Sequence, residues 1–599
     1  MHEYAVAAPF ELPATATLLD AVHANAASAP DAICFERPGP RGWLPVTAGQ
    51  FAAQVARVAA GLAAAGIAPG DRVALLCRNR YEWALADYAL WAAGAVGVPI
   101  YATSAPEQLA YILSDSGTVA IFVETTEQAA VIDSLRPELP DLREVWVIED
   151  GALDGLDRTG RRAGPAEPNR RRAALGGDTT ATIIYTSGTT GRPRGCELTH
   201  HNLLFDATSA TTALAEVFTA TSSTLLFLPL AHVFARVIQI ACVITQARLG
   251  HTPDIRNLTA DLGSFQPTFL LAVPRVFEKI YDAAAERAQA EGGVKQRLFA
   301  RSSAVAIAYS ERLDGAGPSP ALRVEHAVFS RLVYRRLGGA LGGRVEYAVS
   351  GGAPLGPRLG HFFRGSGITV LEGYGLTESS AGATLNTPTA CRIGSVGPPM
   401  PGTAVRIETD GEVLVRGPHV FRGYWQDPDG TAEVLEPEGW LRTGDLGELD
   451  EDGFLTITGR RKEILVTAGG KNVAPTVLED RLRAHPLVGA AMVVGDARPY
   501  VGALLTLDPG ALATWKRRHG KPADAGPADL RDDPDLQAVL AGAVATANAG
   551  VSRAESIRRF RVLTSEFSEA TGELTPKLGI RRSVIAKQYA AEVEALYEP

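Results

Sequence analysis

The sequence has few cysteines, and none of them has the spacing of a metal or redox site. The five cysteines are scattered through the chain at Cys34, Cys77, Cys196, Cys242 and Cys391. The absence of a CxxC pair argues against a structural zinc site, and the odd number argues against a disulfide framework. We therefore expect a protein of a reducing compartment, the cytoplasm.

Long apolar runs and an excess of positive charge are also missing. Residues 1–30 lack a basic segment followed by an unbroken apolar core. No later window approaches the roughly 18 charge-free apolar residues of a membrane span, so any membrane contact is expected to be peripheral. The 58 basic and 67 acidic residues give a net charge of −9, which disfavours nucleic acid as a partner.

The length and the periodicity predict more than one domain. A chain of 599 residues is too long to fold around one compact core, so at least two domains are expected. Between Phe51 and Ile148, strand and helix patterns alternate, which predicts an α/β domain with largely parallel sheets. Residues 150–178, rich in Gly, Arg, Pro and Asp and including the Arg170–Arg172 run, are predicted to form a solvated connecting loop.

Later segments change in character. Ala283–Leu341 is mostly helical in pattern, with a Gly/Pro break at Gly315–Pro318. Beyond Gly394, short strands separated by Gly, Pro and Asp predict a small β-rich subdomain. The helix and strand patterns between Pro475 and Leu507 predict a small α+β unit near the C-terminus.

Residues 182–195 run from a β-branched and aromatic segment into a loop of glycine, serine and threonine. Glycines let the backbone turn so that several amides point at one anion, and hydroxyl and arginine side chains add donors. The spacing is not that of a Walker P-loop. Composition alone would also suit a solvated turn, but the density of donors behind a strand predicts a phosphate-binding loop. The candidate ligands are Thr186, Ser187, Gly188, Thr189, Thr190, Gly191 and Arg194.

Tyr185–Gly195 resembles the phosphate-loop signature of the AMP-forming adenylating superfamily, which includes acyl-CoA synthetases, luciferases and the adenylation domains of peptide synthetases. Three further segments match in the expected order: Tyr374–Glu378, Thr443–Asp445 and Gly459–Ile464. The resemblance implies a large N-terminal domain, residues 1–461, built of α/β subdomains and a β-rich subdomain. A small mobile α+β domain, residues 462–599, would follow it.

The resemblance also implies which residues bind the nucleotide. Those expected to contact the adenine, ribose or α-phosphate are Gly351, Gly352, Ala353, Tyr374, Gly375, Thr377 and Asp445. Tyr374 would stack on the adenine, and Asp445 would accept hydrogen bonds from both ribose hydroxyls, because an ionised carboxylate only accepts. Catalytic roles are implied for Thr189, Glu378 and Arg460, with Glu378 holding Mg²⁺ as a hard oxygen ligand.

Other implied roles lie outside the nucleotide site. Lys462 falls where the family has its interdomain hinge, and Gly470 and Lys471 lie in a hairpin that would meet CoA. His232 would gate the acyl pocket, although an isolated histidine is more often structural.

The chain departs from the family near its C-terminus. Long-chain members usually carry a lysine three residues after the proline of Leu-Thr-Pro, and here that position is Gly579. Lys577 lies two residues earlier, which in an extended segment is about 6–7 Å along the chain. Either Lys577 serves or adenylation is weakened; Arg581 is another nearby cation.

The first hypothesis is a long-chain fatty acid–CoA ligase that forms acyl-CoA from fatty acid, ATP and CoA through an acyl-adenylate. The Val273–Lys279 block and the helical stretch that follows it are similar to the long-chain branch. The alternatives are a fatty acyl-AMP ligase that loads a carrier protein, an adenylation-impaired acyl- or nucleotide-binding homologue, and an enzyme for a medium-chain or aromatic acid.

Overall fold

The computed structural model describes residues 2–186, 192–569, 571–575 and 579–598. Its strands are β1 Glu3–Ala5, β2 Ile33–Gly39, β3 Gly42–Thr47, β4 Arg72–Leu76, β5 Val96–Ile100, β6 Thr118–Val123, β7 Glu144–Val147, β8 Thr180–Thr186, β9 Arg194–Thr199, β10 Ser223–Leu226, β11 Arg248–His251, β12 Phe269–Ala272, β13 Tyr347–Ser350, β14 Thr369–Tyr374, β15 Thr384–Leu385, β16 Ala404–Ile407, β17 Glu412–Arg416, β18 Gly423–Tyr424, β19 Leu441–Leu449, β20 Leu455–Arg460, β21 Leu465–Val466, β22 Asn472–Val473, β23 Val488–Val494, β24 Val501–Leu507 and β25 Ile557–Val562.

The helices are α1 Asp20–Ser28, α2 Ala48–Ala64, α3 Tyr81–Ala92, α4 Pro106–Asp115, α5 Thr126–Leu135, α6 Ala152–Ala163, α7 Ala166–Ala173, α8 His200–Ala213, α9 Val233–Thr245, α10 Leu258–Phe265, α11 Pro274–Ala290, α12 Gly293–Leu313, α13 Pro320–Phe329, α14 Arg335–Ala340, α15 Pro357–Gly365, α16 Pro428–Val434, α17 Pro475–Arg483, α18 Pro509–Arg518, α19 Pro527–Leu530, α20 Pro534–Asn548, α21 Arg582–Gln588 and α22 Ala590–Ala595. Across the described residues, each helix is too short or too polar to span a bilayer.

The largest sheet has seven strands in the order β18-β9-β8-β5-β4-β6-β7. Strands β8, β5, β4, β6 and β7 run parallel, as the strand–helix alternation predicts. They read as continuous apolar runs because helices cover both faces of such a sheet. Strand β9 returns antiparallel to β8, with Thr186 paired to Arg194, so the predicted phosphate loop joins two neighbouring strands.

Two four-stranded sheets and one five-stranded sheet complete this part. Strands β12, β13 and β14 run parallel, and β15 is added antiparallel to β14. A second sheet has the order β10-β11-β2-β3. The β-rich subdomain predicted beyond Gly394 is the antiparallel sheet β1-β16-β17-β19-β20, and the N-terminal β1 within it was not predicted.

The C-terminal part has its own sheet, β23-β24-β25, covered by α17, α18 and α20. Its apolar cores contain only residues after position 464, such as Leu478, Leu505, Trp515 and Leu540. The predicted α/β fold class is confirmed. The boundary between residues 461 and 462 remains a prediction.

The prediction of a loop over residues 150–178 was wrong, because this stretch contains α6 and α7. Leu153 and Leu156 are buried, and α6 packs on α2 at a close approach of glycines. A Cβ at Gly160 would lie 1.7 Å from the Arg57 carbonyl oxygen. Arg171, predicted to be solvated, donates to the carbonyl of Ile67 at 2.6 Å.

Candidate active site

Strand β14 delivers the central residues of the candidate site. It ends at Tyr374, and a 3₁₀ turn, Thr377–Ser379, follows directly. A Cβ at Gly375 would lie 2.0 Å from the Ala381 carbonyl oxygen, so the turn folds back on the strand end only because position 375 is glycine. This places Tyr374, Thr377 and Glu378 at the C-terminal edge of a partly parallel sheet, where α/β proteins commonly bind ligands.

The Tyr374 side chain reaches across to the β-rich subdomain. Its hydroxyl donates to Asp445 Oδ2 at 2.8 Å. Asp445 lies on β19 and is paired in the sheet with Arg460 of β20. The Arg460 Nε approaches Asp445 Oδ1 at 2.9 Å, so the carboxylate in the middle of β19 joins the ends of β14 and β20.

Burial raises the pKa of Asp445, and the Arg460 guanidinium and the Tyr374 hydroxyl act in the opposite direction. The pKa of Arg460 is raised mainly by the charge of Asp445, with a smaller contribution from Glu378. Arg460 therefore lies near both carboxylates. A carboxylate has about four lone-pair sites, so Asp445 keeps acceptor capacity beyond its two protein partners.

Glu378 is connected to the strand that follows the predicted phosphate loop. The Tyr424 hydroxyl donates to Glu378 Oε1 at 2.9 Å, and the Arg194 guanidinium lies 5.2 Å from the centre of the Tyr424 ring. Arg194 Nε also approaches Asp427 Oδ2 at 3.4 Å. The side chains of Arg194, Tyr424 and Glu378 thus form a continuous contact from β9 to the turn after β14.

The turn after β13 forms another wall. A Cβ at Gly351 would lie 3.3 Å from the Gly373 carbonyl oxygen and 3.4 Å from the Phe234 ring, so glycine allows β14 and α9 to approach this turn. Gly352 has a φ of +82°, and both Gly352 and Ala353 are exposed. His232 caps α9, with its Nδ1 accepting from the Phe234 amide at 3.0 Å.

Some predicted residues lie outside the described part of the chain. They are Ser187, Gly188, Thr189, Thr190, Gly191 and Lys577. Thr186 and Arg194, which flank the loop, are described and face each other across β8 and β9. Gly579 is described, and its amide donates to Thr575 Oγ1 at 3.1 Å.

The predicted CoA residues lie apart from this cluster, in the C-terminal part. Strands β21 and β22 pair as a hairpin, with Gly470 at a φ of +76° in its turn. Lys471 Nζ lies 3.3 Å from Glu555 Oε1. Lys471 also lines an open cleft of about 550 Å³ together with Tyr500, Arg553 and Arg558. Lys462 is exposed in the turn after β20.

Two family models match the chain. The model described as AMP-binding enzyme covers residues 22–425, and the model described as AMP-binding enzyme C-terminal domain covers residues 462–599. The chain belongs to the AMP-binding enzyme family. The superfamily resemblance predicted from the four motifs is thereby confirmed.

Curated relatives of this AMP-binding enzyme match over the full length. It is 49% identical over 600 residues to the long-chain-fatty-acid–CoA ligase FadD15 of Mycobacterium bovis, with 100% of both chains covered. Identity to FadD15 of Mycobacterium tuberculosis is 48%, with the same coverage. The solved structure of the anthranilate CoA ligase AuaEII in complex with anthranoyl-AMP aligns with a TM-score of 0.73 at 20% identity, covering 98% of this chain and 99% of that one. That likeness shows the shared fold.

Two residues at the site of this AMP-binding enzyme were not found by sequence reasoning. Tyr424 follows a Gly- and Pro-containing stretch without helix or strand periodicity. The one sequence feature that could have pointed to it is the adjacent aromatic pair Tyr424–Trp425. Glu372 lies inside an apolar strand, where a buried acid is unusual. Its carboxylate accepts from the Leu355 amide at 2.8 Å, and burial raises its pKa to about 7.

Proposed function

We propose that the protein is an ATP-dependent, AMP-forming long-chain fatty acid–CoA ligase. The observation that carries the proposal is the full-length identity of 48–49% to long-chain-fatty-acid–CoA ligases. The polar cluster of Tyr374, Glu378, Asp445 and Arg460 supports it, because one nucleotide can contact all four side chains.

The residues of this cluster suit the adenylation step. The fatty carboxylate attacks the α-phosphorus of ATP, pyrophosphate leaves, and a mixed anhydride of the acid and AMP remains. Arg460 and Thr377 stabilise negative charge at the phosphate, and Asp445 orients the ribose through its two hydroxyls. Such a reaction depends on positioning and charge stabilisation more than on covalent help from the protein.

The acidic side chains present fit a Mg²⁺ ion that arrives with ATP. Among the described residues, no group of three His, Cys, Asp or Glu side chains could hold a metal. A single carboxylate suits Mg²⁺, which keeps several waters and binds substrate phosphates. Glu378 would hold the ion, which neutralises phosphate charge when bound. Tyr424 fixes the rotamer of that carboxylate through the 2.9 Å hydrogen bond.

For the second step, we propose that the CoA thiol attacks the acyl-adenylate carbonyl and releases AMP. Lys471 and Arg558 line a basic cleft beside the β21–β22 hairpin, which suits the phosphates of CoA. This cleft is separate from Asp445, so residues 462–599 would have to turn about Lys462 to bring CoA to the adenylate. Exposed polar contacts such as Arg518 Nη2 to Gln296 Oε1, 3.2 Å, cost little to break.

The proposal is tested by incubating the purified chain with palmitate, ATP and CoA and identifying the products. Formation of palmitoyl-CoA, AMP and pyrophosphate is expected. Palmitoyl-AMP without palmitoyl-CoA would instead indicate a ligase that loads a carrier protein. Neither product would indicate a binding protein, and the ligase proposal would be rejected. A cytoplasmic location is part of the proposal and is tested by cell fractionation.

A further inference from the structure

One long helical stretch carries an exposed apolar stripe. Helix α13, the π-helical turn Ser330–Tyr334 and α14 follow one another without a break, and we call residues 320–340 the insertion helix. On its outer side, Val324 is 67% exposed and Val328 and Leu332 are each 49% exposed. Single exposed apolar side chains are ordinary, whereas three at successive four-residue steps form a continuous stripe.

The geometry of the helix limits how far this stripe winds around the axis. In an α-helix, positions four residues apart drift by about 40° around the axis. The wider π turn at Ser330–Tyr334 opposes that drift, so the step from Val328 to Leu332 adds less drift than a purely α-helical step. On the other side of the helix, Phe329, Tyr334 and Leu337 are buried in the core. The insertion helix therefore has two apolar sides, and one of them faces solvent.

The charged side chains of the insertion helix are mostly basic. Arg323, Arg331, Arg335 and Arg336 are exposed, and the described residues give none of them an ion pair. The helix has one acidic residue, Glu325, which Arg301 of α12 binds at 2.6 Å. Four arginines and one glutamate give the helix a net charge of +3, in a chain whose net charge is −9.

We propose that the insertion helix binds the surface of an anionic lipid bilayer, with Val324, Val328 and Leu332 inserted among the acyl chains. An apolar stripe flanked by arginines is the pattern of a helix that lies in the membrane interface. A chain with a charge of −9 would be repelled by an anionic surface unless a local basic face turned towards it. The arginines therefore determine which side of the protein meets the lipid.

The test is flotation of the purified full-length chain with vesicles. Phosphatidylcholine vesicles containing phosphatidylglycerol should carry the protein upward, whereas pure phosphatidylcholine vesicles should carry much less. Binding to the anionic vesicles should weaken as salt is added, because the arginine contribution is screened. Wild-type protein that stays at the bottom with anionic vesicles would overturn the proposal. Flotation needs no catalysis, so its outcome is independent of the ligase assay.

Two variants locate the contact. R331Q/R335Q should bind anionic vesicles about 30-fold more weakly, since each arginine near the surface contributes about fivefold. V324Q/V328Q should lose about tenfold for each valine withdrawn from the acyl chains. Glutamine is a better helix former than valine, so the unfolding midpoint of both variants should match that of the wild type.

The matched control is R158Q/R162Q, which removes two exposed arginines from α6, where no apolar stripe is present. This control should float like the wild type. Equal binding by all three variants would reject the insertion helix as the lipid contact. If V324Q/V328Q instead converted a dimer to a monomer in light scattering, with no vesicle binding by the wild type, the face would belong to a second copy and the membrane proposal would be wrong.

Discussion

Replacing Asp445 with asparagine should weaken ATP binding much more than it weakens the fold. Asp445 is buried, and its two oxygens contact the Tyr374 hydroxyl at 2.8 Å and Arg460 Nε at 2.9 Å. Asparagine keeps the shape, loses the charge and leaves one acceptor oxygen. Tyr374 can still pair with the amide, and Arg460 is half exposed, so water can solvate its freed guanidinium. If Asp445 binds the ribose as proposed, the main loss is a hydrogen bond from ribose to a charged acceptor.

That loss sets the magnitude. A hydrogen bond to a charged group contributes about 1.5–3 kcal/mol, which corresponds to about a 10- to 150-fold rise in the KM for ATP. The change should fall on KM, because the ribose contact is present in both the ground state and the transition state. The measurement is the initial rate of pyrophosphate release against ATP concentration, at saturating palmitate and CoA.

The control is Asp157→Asn. Like Asp445, Asp157 has two side-chain partners, here Arg57 at 2.5 Å and Arg161 at 2.6 Å, but it lies on α6, far along the chain from the cluster. Its removal should lower the unfolding midpoint slightly and leave the KM for ATP unchanged. A KM for ATP within twofold of wild type in folded Asp445→Asn protein would refute the ribose assignment.

Four further predictions concern single side chains. Tyr374→Phe should change the KM for ATP less than threefold if the ring stacks on adenine, whereas Tyr374→Ala should raise it strongly; equal effects in ATP titrations would contradict stacking. Glu378→Gln should lower kcat by about 10²–10³ and raise the Mg²⁺ concentration for half-maximal rate, and an unchanged Mg²⁺ requirement would remove Glu378 from the metal site. Gly579→Lys should speed pyrophosphate release if adenylation lacks a cation, and an unchanged rate would reject that explanation. An added Cβ would lie 3.3 Å from Thr575 Oγ1, so the substitution can be accommodated. Burial raises the pKa of Glu372 from 4.5 to about 7, so between these pH values the folded state holds a proton that the unfolded state has lost. The free energy of unfolding should therefore fall by about 3 kcal/mol as the pH rises through this range, and in thermal unfolding Glu372→Gln should reduce this pH dependence.

Much of the fold followed from local patterns. The runs that became β4, β5 and β14 are short, β-branched and bounded by turn residues, so their strand character is encoded locally. Strands β1 and β9 were not predicted, because β1 pairs with the distant β16 and β9 begins within the Gly- and Thr-rich segment that the sequence predicts to be a loop. The α6–α7 stretch was misjudged because its glycines and arginines obscure two buried leucines, and because the glycine that permits helix contact resembles a loop residue.

The sequence predicted most residues of the candidate site, but only some of the contacts between their side chains. Motif order identified Tyr374, Glu378, Asp445 and Arg460, and the structure brings these four side chains together; their roles remain predictions. The hydrogen bond from Tyr424 to Glu378 was not predicted, because a contact between side chains 46 positions apart produces no periodic pattern in the sequence. Motif order along the chain does not give the spatial arrangement of the phosphate loop, Lys577 and the acyl pocket.

The pairing of Asp445 with Arg460 has a consequence for timing. Arg460 is the last residue of β20 and stands two positions before Lys462. A swing of the segment beyond Lys462 would start two residues after a side chain that the proposed function places at the nucleotide. The turn that brings CoA to the adenylate would then begin next to the contact that holds the adenylate in place. A stiffer peptide at positions 461–463 should therefore slow thioester formation more than the earlier release of pyrophosphate.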